Sequence, residues 1–120
     1  MNASIISMPR VTDRTLDVLA GELPVIIAEV MEVPGGNLAR LKPEQISLEF
    51  SQASPRDVGS DIRIMIYAKK NDPRSSTEKE RAKTILEKII TLVNTPGDEY
   101  SVDIRLYLME IGAAEHVLNS

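Results

Sequence analysis

Residues 77–109, TEKERAKTILEKIITLVNTPGDEYSVDIRLYLM, contain the two clearest secondary-structure patterns in the chain. In residues 77–93 the apolar side chains recur at spacings of three and four, which is typical of one buried helix face. In residues 101–109 apolar and polar side chains alternate strictly, which is typical of a half-buried strand. Pro96-Gly97 between them is a turn signal that ends the helix. This stretch therefore predicts a helix followed by a strand.

The same alternation appears in two further segments, and apolar residues indicate a third strand near the amino terminus. It predicts strands at residues 45–50 and 61–68, and apolar side chains near the amino terminus predict a strand at residues 3–8. The connection between the first two, SQASPRDVGS at residues 51–60, is polar and too long for a tight hairpin turn. The two strands that it joins therefore need not be neighbours in the sheet.

A second helical pattern precedes these strands, but glycine and proline interrupt it. Gly21 and Pro24 lie inside the apolar spacing, and proline in a helix interior removes a hydrogen-bond donor. We therefore expect a short helical or irregular piece over residues 13–20. A helix should then begin near Leu23-Pro24, with proline in its first turn, and end at Pro34-Gly35-Gly36.

The predicted order is β-α-β-β-α-β, an α/β (α+β) fold in which two helices cover one face of a four-stranded sheet, within a single domain of residues 1–120. Each predicted strand has one aliphatic face and one mixed face. The mixed face is either solvated, with cross-strand ion pairs such as Glu49 with Arg63, or buried between copies of the chain. Its predicted members are Ser47, Glu49, Arg63, Met65, Tyr67, Asp103, Arg105 and Tyr107.

Composition excludes several classes of function. The 14 Lys+Arg against 18 Asp+Glu give a net charge of −4, so the chain lacks the basic stripe of a nucleic-acid-binding protein. Without cysteine and with one histidine, it cannot form a disulfide, a cysteine-based zinc site or a thiol nucleophile. No apolar stretch is long enough to span a bilayer. We expect a cytoplasmic protein with no metal, no cofactor, no membrane and no nucleic-acid partner.

Outside the mixed face, only a few charged residues are candidates for a functional role. Lys69, Lys70 and Arg74 precede a helix, where they either gather an anionic substrate or form a solvated turn. His116 is expected to be solvated and without a role. Glu29 and Glu32 are expected to lie on the solvent-facing edge of the first helix.

Several local stretches, taken with the order of elements, resemble one family. They are Leu23-Pro24 near a helix start, KPEQI at 42–46, SDIRI at 60–64, RSSTEKER at 74–81 and Gly112-Ala113-Ala114 after the last strand. On these residues the chain resembles the tautomerase superfamily, particularly its 5-carboxymethyl-2-hydroxymuconate isomerase and macrophage migration inhibitory factor branches. The resemblance implies a homotrimer whose sheets face inward, with a small anionic substrate.

The resemblance also implies a reaction and candidate site residues. In this family an amino-terminal proline moves the proton in keto-enol interconversion of small 2-oxo or 2-hydroxy acids. Residue 2 is asparagine here, and the first Met-Pro pair is Met8-Pro9, so Pro9 is the candidate catalytic residue only if its nitrogen is a free amine. Lys42, Arg105 and Tyr107 are the candidate substrate-binding residues.

Two alternatives to an isomerase remain open at this stage. The first is a trimeric superfamily member that lacks catalysis and serves as a binding or assembly module, which the asparagine at residue 2 favours. The second is a ferredoxin-like regulatory domain, because that fold has the same order of elements.

Overall fold

The computed structural model describes residues 1–33 and 41–118 of the chain. The strands are β1 (Asn2–Ser7), β2 (Ser47–Gln52), β3 (Ile62–Lys69) and β4 (Val102–Met109). The helices are α1 (Asp13–Met31), the short α2 (Asp72–Ser76) and α3 (Glu78–Val93), with one 3₁₀ turn at Pro43–Gln45. The predicted order of strands and principal helices is thus confirmed. In the described part of the chain no helix is long and apolar enough to cross a membrane.

The four strands form one mixed sheet in the order β2-β1-β3-β4. β1 pairs in parallel with β2 and β3 in parallel with β4, while β1 and β3 run antiparallel in the middle. Each half of the chain is therefore a β-α-β unit whose two strands are direct neighbours. In a ferredoxin-like fold the β-α-β units are split by another strand, so this topology excludes that alternative.

The core lies between one face of the sheet and the two long helices. Alternate residues of β1 and β3 point to this face and are almost completely buried. Helix α1 contributes a stripe with four-residue spacing, and α3 contributes a second stripe on the same side of the sheet. The side chains at its centre are Ile5, Leu19, Leu23, Ile27, Met31, Ile62, Ile64, Ile66, Ile85 and Ile89, each 0% exposed.

The expected interruption of the first helix was wrong. Helix α1 runs without a break from Asp13 to Met31, with Thr12 as its N-cap and Pro24 inside it. Proline has no N–H, so the helix lacks the hydrogen bond from residue 24 to the carbonyl of Ala20. Ala20 is exposed, so water can bind that oxygen. The stabilisation from burying the apolar stripe of α1 on either side of Pro24 outweighs the loss of this one hydrogen bond. The predicted stop at Pro34-Gly35-Gly36 lies outside the described residues.

Other boundaries differ by one or two residues from the sequence-based expectations. Strand β1 begins at Asn2 and ends at Ser7, so Pro9 lies beyond it and leaves the ladder intact. The helix expected from residue 77 begins at Glu78, and Thr77 gives it no side-chain cap. Helix α2 was not predicted; the side chain of Asn71 caps it by accepting a hydrogen bond from the Arg74 N–H.

Two adjacent isoleucines on α3 provide a matched test of this packing. Ile89 is 0% exposed, whereas Ile90 is 40% exposed. We predict that Ile89→Ala lowers the free energy of unfolding by about 2 to 5 kcal/mol, because it leaves a cavity in the core. Ile90→Ala should lower it by less than about 1 kcal/mol. Urea denaturation measures both, and equal losses would contradict this assignment of the buried face.

Candidate functional site

The topology of the sheet divides the candidate residues between two opposite ends. One end, called here the Asn2 end, is formed by Asn2, Ser47, Tyr67 and Tyr107, which lie in one row across the four strands. The other, the Ser7 end, is formed by Ser7, Gln52, Ile62 and Val102. Five residue steps of β1 separate the two ends, a distance of roughly 17 Å.

Aromatic and basic groups meet at the Asn2 end. The rings of Tyr67 and Tyr107 stack with their centroids 5.2 Å apart and their planes 14° from parallel. Tyr67 is the register partner of Asn2, so the asparagine lies beside this stack on the uncovered face. Exposed Lys69 ends β3 two residues beyond Tyr67, on the same face. The Asn2 end therefore combines an aromatic surface, phenol hydroxyls and a cation.

Lys42 comes to the same end through the 3₁₀ turn that precedes β2. Its backbone N–H donates to Oε1 of Gln45 at 2.8 Å, which fixes the turn. Two residues after the turn, the N–H of Ser47 donates to the Met1 carbonyl at 3.0 Å, so the start of β2 is tied to the start of β1. The Lys42 side chain is exposed. The structure thus places Lys42 and Tyr107 at the same end of the sheet but at its opposite edges, beside β2 and on β4.

Arg105 lies one row further in, opposite Met65 on the uncovered face. Its Nε donates to Oδ2 of Asp103 at 3.3 Å, and this hydrogen bond raises the pKa of the guanidinium above its ordinary value. The predicted cross-strand pair of Glu49 with Arg63 was wrong, because β1 lies between their two strands. The acidic side chain that forms an ion pair on this face is instead Asp103, which lies on the same strand as its partner Arg105.

Pro9 lies beyond the Ser7 end, in the connection between β1 and α1, and its side chain is exposed. Its nitrogen is in the peptide bond to Met8, so it has no basic lone pair. The residues before it form the central strand of the sheet, paired on both sides. Within one chain, Pro9 is thus separated by the length of β1 from Lys42 and Tyr107.

The connection that contains Pro9 is held by an ionic cluster that was not predicted from the sequence. Arg10 donates to both carboxylate oxygens of Asp61, at 2.9 and 2.8 Å, and also to the Glu99 carbonyl. Its guanidinium carbon lies 4.7 Å from the centroid of the Tyr100 ring. Asp61 also accepts from the N–H of Ser101 at 2.9 Å. These contacts join the starts of β3 and β4 to the end of β1.

Of the basic residues singled out between β3 and α3, Arg74 has a structural role. Arg74 donates to the carbonyls of Met31 and Lys69, and Arg81 on α3 donates to those of Val30 and Glu32. The two guanidinium groups thereby bind carbonyl oxygens at the carboxyl end of α1. Burial, and secondarily the charge of Arg81, lowers the pKa of Arg74. Arg74 therefore contributes to folding through these carbonyls.

Two of the remaining single residues follow their sequence-based expectations, and Glu32 does not. His116 is exposed in the segment after β4, and Glu29 is exposed on α1, while Glu32 is half-buried at its end.

Comparison with known proteins finds similar folds but no similar sequence. No protein-family model matches the chain, and no curated protein matches it. A malonate semialdehyde decarboxylase inhibited by 3-bromopropiolate superposes with a TM-score of 0.68 and 11% identity, covering 100% of this chain and 92% of its own. A wild-type fused 4-OT, a symmetric trimer, gives a TM-score of 0.66 and 10% identity, with 98% and 94% covered.

A third similar structure is N1, a member of the cis-3-chloroacrylic acid dehalogenase family. Its TM-score is 0.66 at 9% identity, with 92% of this chain and 76% of that chain covered. These proteins belong to the tautomerase superfamily, and the topology described above is theirs. The chain therefore has the tautomerase-superfamily fold, as the resemblance implied.

The Arg10–Asp61 pair predicts a specific pH dependence of stability. The hydrogen bond from Arg10, with those from Ser101, lowers the pKa of Asp61 from 3.8 to about 2. A carboxyl whose pKa is lower in the folded state stabilises the fold above its unfolded pKa, and loses that contribution as pH falls through the folded value. The stabilisation should therefore be complete above about pH 4 and disappear toward pH 2.

We predict that Asp61→Asn lowers the free energy of unfolding at pH 7 by about 1 to 2 kcal/mol, a figure reduced for the exposure of Arg10. The difference from wild type should shrink between pH 4 and pH 2. Asp17→Asn, an exposed charge on α1, is the matched control and should change stability at pH 7 by less than about 0.5 kcal/mol. A difference that widens on acidification would contradict this role of Asp61.

Proposed function

We propose that this protein is a trimeric member of the tautomerase superfamily that binds a small 2-oxo or 2-hydroxy acid at the Asn2 end without proline-based proton transfer. The observation that carries the proposal is that asparagine begins the central strand, while the first proline, Pro9, lies beyond its opposite end. An asparagine side-chain amide has no basic lone pair near neutral pH. We infer that the site binds the substrate class of the superfamily and that neither Asn2 nor Pro9 supplies the base of its reaction.

The groups at the Asn2 end suit a planar carboxylate. Lys69 is an exposed cation that can bind the carboxylate, and Arg105 is another, although it also binds Asp103. Lys42 is exposed at the opposite edge of the sheet, so in the trimer it would reach the ligand from a neighbouring copy. The hydroxyl of Tyr107 can donate to a keto or hydroxyl oxygen. The stacked rings of Tyr67 and Tyr107 offer an apolar surface for the carbon skeleton. The site thus has charge and hydrogen-bond donors for the ligand.

The uncovered sheet face supports assembly of three copies. It exposes Tyr107 by 38% and Met109 by 37%, large apolar surfaces next to the half-buried Met65 and Tyr67. Two solved structures with this fold are a symmetric and an asymmetric trimer, each a fused 4-OT. A closed ring of three copies would bury this face and bring residues of neighbouring copies to each Asn2 end. A cytoplasmic location remains a prediction.

Ligand binding tests the site. With 2-oxobutanoate as probe in calorimetric titration, Lys42→Gln and Tyr107→Phe should each weaken binding by about three- to ten-fold, since the first removes a positive charge and the second a hydrogen-bond donor. Lys88→Gln, an exposed lysine on α3, should leave the affinity unchanged. Equal affinities in all four proteins would contradict a carboxylate site at the Asn2 end.

Turnover distinguishes binding from catalysis. The chain should ketonise phenylenolpyruvate no faster than buffer does, and Pro9→Ala should make no difference, because the Pro9 nitrogen is an amide. Rapid turnover that Pro9→Ala abolishes would favour the isomerase instead.

Assembly is tested by a charge on the uncovered face. Light scattering of the wild-type chain should give three times the monomer mass, and Tyr107→Glu should give the monomer, because burying an unpaired carboxylate is costly. Val25→Glu is the matched control: Val25 is 44% exposed on α1, on the covered side of the sheet, and the trimer should persist. A wild-type monomer, or a trimer unaffected by Tyr107→Glu, would contradict the proposed interface.

A further inference from the structure

The charges on the uncovered face of the sheet are only partly paired within one chain. Asp103 and Arg105 pair with each other along β4. Glu49 on β2 and Arg63 on β3 form no ion pair in the described part of the chain. Their strands lie on either side of β1, so the two side chains stand side by side with β1 between them. Each copy therefore presents an acid and a base of this face that have no ionic partner of their own.

Arg63 is held against the sheet by the connection that precedes β3. Gly59, at a φ of +155°, lies so close that a Cβ there would be 3.1 Å from Cδ of Arg63 and 3.2 Å from its Nε. Only glycine allows both this backbone conformation and this approach. The Nε of Arg63 is buried and has no hydrogen-bond partner among the described residues. The guanidinium is thus fixed in position and partly removed from water.

A partly desolvated cation is unfavourable unless an anion compensates it. The register partners of Arg63 are Ile6 on β1 and Asp103 on β4. Ile6 is apolar, and the carboxylate of Asp103 accepts from Nε of Arg105 at 3.3 Å. The anion that compensates Arg63 therefore has to come from outside the chain.

Glu49 has the properties that this anion requires. Its side chain is exposed, and it lies on the uncovered face because it is in register with Ser4. Strand β2 is one edge of the sheet, whereas Arg63 lies next to β4, the other edge. A ring of three copies joins two different patches of neighbouring copies. When the uncovered faces turn inward, side chains from adjacent copies converge, so Glu49 of one copy can meet Arg63 of the next.

We propose that Arg63 of each copy forms an ion pair with Glu49 of the neighbouring copy at every interface of the trimer. This inference rests on the trimer proposed above and adds the charged contact that selects which sheet edges meet. Contact of two β2 edges would bring two Glu49 carboxylates together, and contact of two β4 edges would bring two Arg63 guanidinium groups together. The charges therefore favour a closed ring over a two-fold dimer.

Charge reversal and its rescue test the pair. Arg63→Glu and Glu49→Arg should each raise the concentration at which half of the chain is trimeric by at least about ten-fold, because each places like charges together at every interface. Combined in one chain, the two reversals restore opposite charges and should return that concentration to within about three-fold of wild type. Sedimentation equilibrium of the full chain measures all four proteins.

Matched reversals on α1 serve as controls. Arg14→Glu and Glu22→Arg change exposed residues of the helix layer and should leave assembly unchanged. Circular dichroism reports whether each variant is folded, and because Glu49 is exposed, Glu49→Arg carries the test even where Arg63→Glu lowers the melting temperature.

Three results would overturn the pair while leaving the trimer in place. They are a trimer that survives both single reversals, a double reversal that stays dissociated, and an intact Arg63→Glu trimer that binds 2-oxobutanoate more weakly, which would assign Arg63 to the ligand. A wild-type monomer would instead overturn the proposed assembly, and this pair with it.

Discussion

The pairing of β1 with β2 on one side and with β3 on the other is the interaction on which the rest of the structure depends. The pairing of Asn2–Ser7 with β3 joins the two β-α-β halves in one sheet. Because β1 is parallel to β2 and antiparallel to β3, the start of β1 meets the ends of β3 and β4. The same pairing therefore defines the sheet, its two ends and the residues available at each end.

The contacts around β1 differ between its two ends. At the Ser7 end, the bidentate bond from Arg10 to Asp61 fixes the chain as it leaves the strand, so this end is tied to β3 and β4. At the Asn2 end, the Ser47 N–H bonded to the Met1 carbonyl fixes β2 beside β1, and the side chains above remain uncovered. One end is thus tied by ionic contacts, while the other exposes cations and aromatic rings.

Much of the fold could be predicted because each strand carries a two-residue period and α3 a clear helical stripe. The alternation of Ile62, Ile64 and Ile66 with Arg63 and Met65 identifies both a strand and its covered face. Helix α1 could not be predicted in full, since local propensity at Pro24 opposes a core that only the folded sheet provides. No local sequence pattern indicates that β1 pairs between β2 and β3. The predicted Glu49–Arg63 pair was wrong for that reason.

The candidate site could be predicted only in part. Lys42 and Tyr107 were identified because the chain resembles a family, and the structure places them at the same end of the sheet but at its opposite edges. Pro9 was selected because Met8-Pro9 is the first Met-Pro pair, but a residue's distance from its partners depends on strand direction, which the sequence does not specify. Arg10 and Asp61 are 51 residues apart in the sequence. Ser7 is buried beside apolar residues, and only the structure shows that burial. Long-range contacts of this kind leave no pattern in sequence.

The central claim is that β1 belongs to the fold and that Pro9 is therefore not an amino-terminal base. It is tested most directly by urea unfolding, followed by circular dichroism, of a chain that begins at Pro9. The loss of the central strand should abolish the cooperative transition, because β2 would have no neighbour and the core would lose Ala3 and Ile5. A chain from Pro9 that unfolds cooperatively at the wild-type urea concentration, and ketonises phenylenolpyruvate, would contradict the account.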